Sequence, residues 1–156
     1  MSTAIIYSTR HGAAKKCAEL LKFKLFGAEI FDLKEKADMD LSGFDTVIIG
    51  GSVQAGRVKG ALKRFCNNRK EELLKKKLGL FICCMAEGKE AEEEIKNNFP
   101  AELYERAVAK DYFGGIFDFS KMNFLERFII QKMAKVKESV FKIKEDRIGS
   151  FANKFK

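Results

Sequence analysis

Three short segments carry residue types that could hold an anionic or a flat ligand. The first is Ser8-Thr9-Arg10-His11-Gly12-Ala13-Ala14. Two hydroxyls, main-chain N–H groups and the start of a helical pattern meet there, a combination that binds a dianionic phosphate without a lysine. Arg10 adds a positive charge, and Gly12 lets the backbone approach closely. The competing reading is plain helix capping, which Ser and Thr do before any helix. The second segment is Gly50-Gly51-Ser52-Val53-Gln54-Ala55-Gly56-Arg57. Gly51 and Gly56 are spaced as in a P-loop. Arg57-Val58 stands where that loop needs Lys-Ser/Thr for phosphate and magnesium, so a nucleoside triphosphatase is excluded. Two glycines and small polar residues suit a flat ring approaching the main chain, with N–H and C=O groups reading its edge. The third segment, Cys84-Met85-Ala86-Glu87-Gly88, signals less. Met85 either lies against a ring or fills core, and core is the preferred reading.

Other chemistries find little support. Four cysteines form no CxxC pair and the chain has one histidine, so no metal site is expected. Cys17 and Cys66 fall on apolar helix positions and Cys83-Cys84 ends an apolar run, the pattern of buried thiols in a reducing compartment. The net charge of +8 admits nucleic acid, an anionic membrane or an anionic ligand. Residues 121–156 hold ten Lys or Arg against four Asp or Glu, so most of the excess lies beyond the three segments. No nucleic-acid-binding motif accompanies it, and no nucleic-acid partner is expected.

The elements that must position these segments alternate in type. Ala4–Tyr7 is a short β-rich run. From Gly12, apolar residues at Ala14, Cys17, Ala18, Leu21 and Leu25 make one helical face, stopped by Gly27. Ala28–Leu33 and Thr46–Ile49 read as the second and third strands. Val58, Leu62, Phe65 and Cys66 line a second helix. Leu78–Cys84 is apolar on both faces, as a central parallel strand requires. A helix with Glu90, Glu92, Glu93 and Glu94 near its start suits the positive end of a helix dipole and ends near Phe99 before Pro100. Ala107–Phe117 supplies a fifth strand. The sum is an α/β domain over residues 1–156, with a parallel sheet covered by helices on both faces. In such sheets ligands sit beyond the carboxyl ends of the strands, where the strand order reverses. A phosphoacceptor receiver domain would need acidic residues after strands one and three. Ser8-Thr9-Arg10 and Gly50-Gly51-Ser52 stand there instead.

The segment at about 120–144 is Lys-rich and amphipathic, with Phe124, Leu125, Phe128, Ile129, Met133 and Val136. A last helix follows, marked by Ile148, Phe151, Ala152 and Phe155. The segment either docks on the fold and covers the ligand pocket, or rests on an anionic membrane surface. No run of about 18 apolar residues spans a membrane. The start lacks a signal-peptide pattern, so a cytoplasmic protein is expected, with peripheral contact at the inner face of the cell membrane as the alternative.

Ser8-Thr9-Arg10-His11-Gly12 resembles the Ser-Thr-Arg-x-Gly-x-Thr phosphate loop of the flavodoxin-like, menaquinone-dependent protoporphyrinogen IX dehydrogenase family. Val47-Ile48-Ile49-Gly50-Gly51-Ser52 followed by Gly56 is similar to that family's second flavin loop. Gly114-Gly115 with Asn123-Phe124-Leu125-Glu126-Arg127-Phe128-Ile129-Ile130-Gln131-Lys132-Met133 resembles its inserted aromatic-basic helix. The resemblance implies a flavodoxin-like, doubly wound sheet of five parallel strands in the order 2-1-3-4-5. It implies FMN as cofactor, held by Ser8, Thr9, Arg10, His11, Gly12, Ala13, Ser52, Val53, Gln54, Ala55, Gly56, Arg57, Met85 and Ala86. It also implies an oxidoreductase, with protoporphyrinogen IX as small-molecule substrate and a quinone as acceptor. Two positions depart from the family pattern: Ala14 stands for the loop Thr, and Ala55 for an aromatic residue that stacks on the ring. Positive charge from Arg10 and Arg57 favours reduced, anionic flavin, and so a higher potential than in an acidic carrier flavodoxin. A non-enzymatic electron carrier and a flavin-less interaction module are the alternatives.

Overall fold

The computed structural model describes residues 2–117, Leu125, Phe128 and 140–156. Five parallel strands form one sheet: β1 (Thr3–Ser8), β2 (Glu29–Asp32), β3 (Thr46–Ser52), β4 (Lys77–Cys83) and β5 (Ala109–Tyr112), in the order β2-β1-β3-β4-β5. This is the expected flavodoxin-like arrangement. The order reverses between β1 and β3, which pair from Thr3↔Thr46 to Ser8↔Gly51. Their ends therefore deliver the first two candidate segments side by side.

The period of two along the strands sorts side chains to two faces. Ile5, Tyr7, Ile48, Phe81 and Cys83 pack with α1 (Ala13–Lys24) and the last helix, α6 (Glu145–Asn153). Ala4, Ile6, Val47, Ile49, Leu80 and Ile82 pack on the other face. That face is covered by α2 (Gly60–Asn68), α3 (Lys70–Leu73), α4 (Gly88–Asn98) and α5 (Ala101–Arg106). All four cysteines are buried free thiols. Cys83 Sγ donates to Cys17 Sγ at 3.4 Å, locking α1 to the end of β4.

Two expected elements differ. The run Ala107–Phe117 is not one strand. Gly114 has φ +81°, and a Cβ there would meet Lys142 O. The chain bends after Phe113, whose N–H still bonds Ile82 O at 3.0 Å. It then forms β6 (Gly114–Phe117), antiparallel to β7 (Val140–Ile143). The tail of the expected amphipathic helix at 120–144 is thus a strand over 140–143. Most of the rest of that segment lies outside the described residues. Leu125 and Phe128 are helical and exposed. No helix among the described residues is long and apolar enough to cross a membrane.

Candidate functional site

The first segment leaves β1 at Ser8, which is a buried strand residue. The chain turns at Thr9, whose Oγ1 accepts from Gly12 N–H at 3.0 Å. Gly12 holds φ +98° as the N-cap of α1 and has no side chain with which to cap it. A helix start whose N-cap residue has no side chain leaves main-chain donors for other groups, a ligand or water. Arg10 is exposed at the rim, while His11 is half-buried and engaged with a neighbour.

The second segment joins the first directly. Ala14 N–H donates to Ser52 Oγ at 3.3 Å, across 38 residues of sequence. Ser52 thereby sets a hydroxyl beside Ala14, whose own side chain is fully buried and has none. Thr9 and Ser52 each accept on one side and keep an O–H to give to an anion on the other. Gly51 is needed here: a Cβ would come 2.6 Å from Leu62 Cδ2.

Beyond Ser52 the loop is a tight hairpin. Gln54 and Arg57 exchange N–H···O bonds of 2.9 and 3.1 Å around Ala55 (φ +53°) and Gly56 (φ +77°). Two successive positive φ values define a type I′ turn. The N–H and C=O groups of Gln54 and Arg57 are spent on each other, so a main-chain reading of a ring edge falls to the Ala55-Gly56 tip. What remains for a ring is the exposed Ala55-Gly56 tip and the side chains of Val53, Gln54 and Arg57. Val53 N–H bonds Cys83 O at 2.8 Å, tying the loop to β4.

Ala55 is the one non-glycine residue with positive φ among the described residues. Asn tolerates that conformation better than Ala. Ala55→Asn should therefore raise stability by about 0.5–1 kcal/mol, or about 1–4 °C in melting temperature. Thermal denaturation followed by circular dichroism checks it; a lower melting temperature contradicts the hairpin.

Asn98, the last residue of α4, holds the hairpin from below, and nothing in the sequence marked it. It is 4% exposed. Its Oδ1 accepts from Val58 N–H at 3.0 Å, and its Nδ2 donates to Gly56 O at 3.0 Å and Glu94 O at 2.7 Å.

The third segment lies over the new hairpin. Met85 is half-buried rather than in the core, with Sδ 3.0 Å from where a Cβ on Gly115 would stand. Ala86 packs against the core face that also receives Val53. Tyr112 Oη accepts from Gly88 N–H at 3.1 Å and from Arg147 Nη2 at 2.8 Å. The Arg147 guanidinium lies 4.0 Å over the Tyr112 ring and bonds Asp111 Oδ1 at 2.7 Å. Lys144 Nζ meets Glu87 Oε1 at 2.6 Å and holds that carboxyl below its ordinary range. The fifth strand and α6 thus fix the third segment. An open depression of about 430 Å³ lies at Ile143–Arg147. Its lining residues are consecutive, which makes it a notch in one turn rather than a converging site.

Gln54 Oε1 and Glu94 Oε2 are buried with no hydrogen-bond partner among the described residues. A side chain holding such an acceptor gains by turning towards a donor, and a flavin ring N–H is one. Burial raises the Glu94 carboxyl above 4.5, and the carboxylate of Glu90 adds to that, against a lowering bond from the Cys84 thiol. Burial, reinforced by Glu94, pushes the Cys84 thiol up to about 12. A carboxyl whose folded pKa is raised contributes stability that is complete below about 4.5 and is lost as pH rises through the folded value. Wild-type denaturation midpoints measured between about pH 4 and 8 should show this fall, and Glu94→Gln should flatten it. An unchanged pH profile in the variant contradicts a raised Glu94 carboxyl.

The three segments therefore meet at the carboxyl edge of β1, β3 and β4, around a helix start that lacks an N-cap side chain of its own, with two hydroxyls and two rim arginines. Residues 4–142 match the flavodoxin domain family over most of the chain. The chain belongs to that family. A search of curated proteins finds no match. Among solved structures, this flavodoxin domain is similar to oxidised flavodoxin 2 from Bacillus cereus, with 16% identity and a TM-score of 0.63 over 99% of this chain and 97% of that one. It is also similar to the Streptococcus pneumoniae TIGR4 flavodoxin, with 13% identity and a TM-score of 0.59 over 99% and 97%. A Fusobacterium nucleatum flavodoxin mutant bound to flavin mononucleotide matches with 14% identity and a TM-score of 0.51 over 97% and 93%. At these identities the likeness speaks for the fold. The cradle's own residues fit a phosphate at the start of α1 and a flat ring beside the hairpin tip. No group of His, Cys, Asp or Glu among the described residues could hold a metal.

Proposed function

We propose that this flavodoxin domain binds FMN and works as an oxidoreductase. Electrons would pass between an organic substrate and a quinone, with protoporphyrinogen IX as the substrate implied by sequence resemblance. The observation that carries the cofactor is the Ala14–Ser52 hydrogen bond, which joins the loops after β1 and β3 at a helix N-terminus with no N-cap side chain of its own. When bound, FMN supplies the transfer of electrons, and the protein supplies position and charge.

In that reading Thr9, Ser52 and the first main-chain N–H groups of α1 hold the phosphate. The rim charges of Arg10 and Arg57 attract it and favour a reduced, anionic ring. Val53, Ala86 and Met85 give apolar surface near the ring, and Gln54 offers its side-chain carbonyl. The lysines of the segment at 120–144 would draw porphyrinogen carboxylates or meet an anionic membrane holding the quinone.

A second reading, a non-enzymatic electron carrier, is favoured by the flavodoxin family match itself. Anaerobic turnover of protoporphyrinogen IX with a menaquinone analogue, using FMN-loaded protein, separates the two. Multiple turnovers support the oxidoreductase. Full loading with FMN and no turnover, with rapid electron exchange to a one-electron acceptor, rejects it in favour of the carrier.

A further inference from the structure

Helix α1 points its N-terminus at the cradle and its last turn at the opposite end of the sheet. That last turn exposes Phe23 at 88%, and Phe26, just past the C-cap Leu25, is exposed at 103%. Phe26 sits in the turn that leaves the helix, so both rings stand at the same end of α1. Val108, the remaining exposed large hydrophobic outside the 120–144 segment among the described residues, precedes β5 at the same edge of the sheet. Scattered exposed apolar residues are ordinary, but two adjacent phenylalanines with almost no cover are not.

Cations surround them. Lys22 and Lys24 flank Phe23 in sequence, and Lys24 Nζ reaches α6 beside Gly149. Phe155 packs under Gly79 near the start of β4, with Lys77 Nζ 5.5 Å from its ring. That contact brings the exposed Lys154 and Lys156 to the same end. Carboxylates at this edge include Glu29 at the start of β2, Asp45 before β3, and Glu71, Glu72 and Glu105 on the helices that lead into β4 and β5. Those two helices cover the opposite face of the sheet, so in a chain of net charge +8 the five lysines leave the α1 and α6 side of this end basic.

We infer that this end is a docking surface for an anionic lipid membrane, with Phe23 and Phe26 as the inserted side chains. A second copy of the chain is disfavoured because the same positive charge would face itself. Two projecting rings suit a soft interface into which each can sink, with lysines resting at headgroup level. Helix α1 has 12 residues and is about 18 Å long. Docking at its far end is an alternative to membrane contact through the segment at 120–144, and it would turn the cradle towards soluble partners. The inference stands on exposure and charge and does not depend on FMN or on the oxidoreductase reading.

The test is co-sedimentation of the full chain with vesicles of phosphatidylglycerol and phosphatidylcholine, against vesicles of phosphatidylcholine alone. Wild-type protein should bind the anionic vesicles, and added salt should weaken binding. The double variant Phe23→Ser, Phe26→Ser should lose at least about tenfold in partitioning. Lys22→Gln should lose about fivefold, the equivalent of one lysine near the surface. Both alter exposed side chains, and an unchanged melting temperature will show that the fold is kept. Three outcomes overturn the inference. One is no vesicle binding by wild type. Another is full binding by the double variant, with loss instead on Lys132→Glu, Lys135→Glu. The last is binding to polyglutamate but not to vesicles, which would mark an acidic protein as the partner.

Discussion

Gly50→Ala should lower the melting temperature by about 6–12 °C, corresponding to about 3 kcal/mol in a chain of this size. Gly50 lies in β3 opposite Phe81 of β4. A Cβ at Gly50 would stand 2.1–2.3 Å from three atoms of the Phe81 ring. That ring has nowhere to go. It is fully buried, stacked on Phe113 at 5.0 Å and edge-on to Phe151 at 6.4 Å. Overpacking a close-fitted core costs about 1–3 kcal/mol, and a clash with a whole ring belongs at the upper end. Phe81→Leu alone should also destabilise by removing ring contacts. Placed together, the two changes should cost less than their sum, because the smaller side chain vacates the space the new methyl needs. Additive costs, or a Gly50→Ala protein that melts like wild type, would contradict this packing. The consequence reaches the cradle, since Gly50 and Gly51 lead directly into Ser52.

Asn98→Ala should be nearly as severe, at about 2–3 kcal/mol, and its effect should centre on the site. The substitution strips a buried N–H at Val58 of its acceptor and removes the donor to Gly56 O. A buried group left unpaired costs about 1–3 kcal/mol. The more exposed Gly56 carbonyl can turn to water, so the larger share comes from Val58. The hairpin that carries Gln54 and Arg57 would lose its support from α4. Hydrogen exchange gives the sharpest reading: the Val58 amide should be protected in wild type and exchange much faster in the variant. FMN affinity should fall with it. A variant that keeps both its melting temperature and Val58 protection would show that Asn98 does not hold the loop.

The sheet was legible because its strands are short apolar runs with their own punctuation. Ala4–Tyr7, Thr46–Ile49 and Leu78–Cys84 are bounded by turn residues or charge, and parallel order followed from the intervening helical patterns. The fifth strand was misread for a specific reason. Residues on both sides of Gly114 are apolar, and only the backbone conformation of Gly114 separates a sheet strand from a hairpin strand. Its partner, Val140–Ile143, is the tail of the Lys-rich segment, where local pattern suggests a helix.

The first site segment was legible from residue type, since hydroxyls and a glycine before a helix have few uses. What could not be read was every contact made at long range. Ser52 reaching Ala14 and Asn98 reaching Val58 join residues 38 and 40 apart. Tyr112 and Arg147 fix the third segment from strand and helix with no local signature. The glycines of the second segment suit both an open loop and a closed hairpin. The positive φ of Ala55 shows which is realised.

The central claim is that the loops after β1 and β3 together cradle the phosphate of a flavin. The most direct test is titration of flavin-free protein with FMN and with riboflavin, followed by quenching of flavin fluorescence. The two ligands differ only in the phosphate. Several charge-assisted hydrogen bonds at the start of α1 should make FMN bind at least about 100-fold more tightly. Equal affinity for the two, or no binding of either by folded protein, would contradict the cradle.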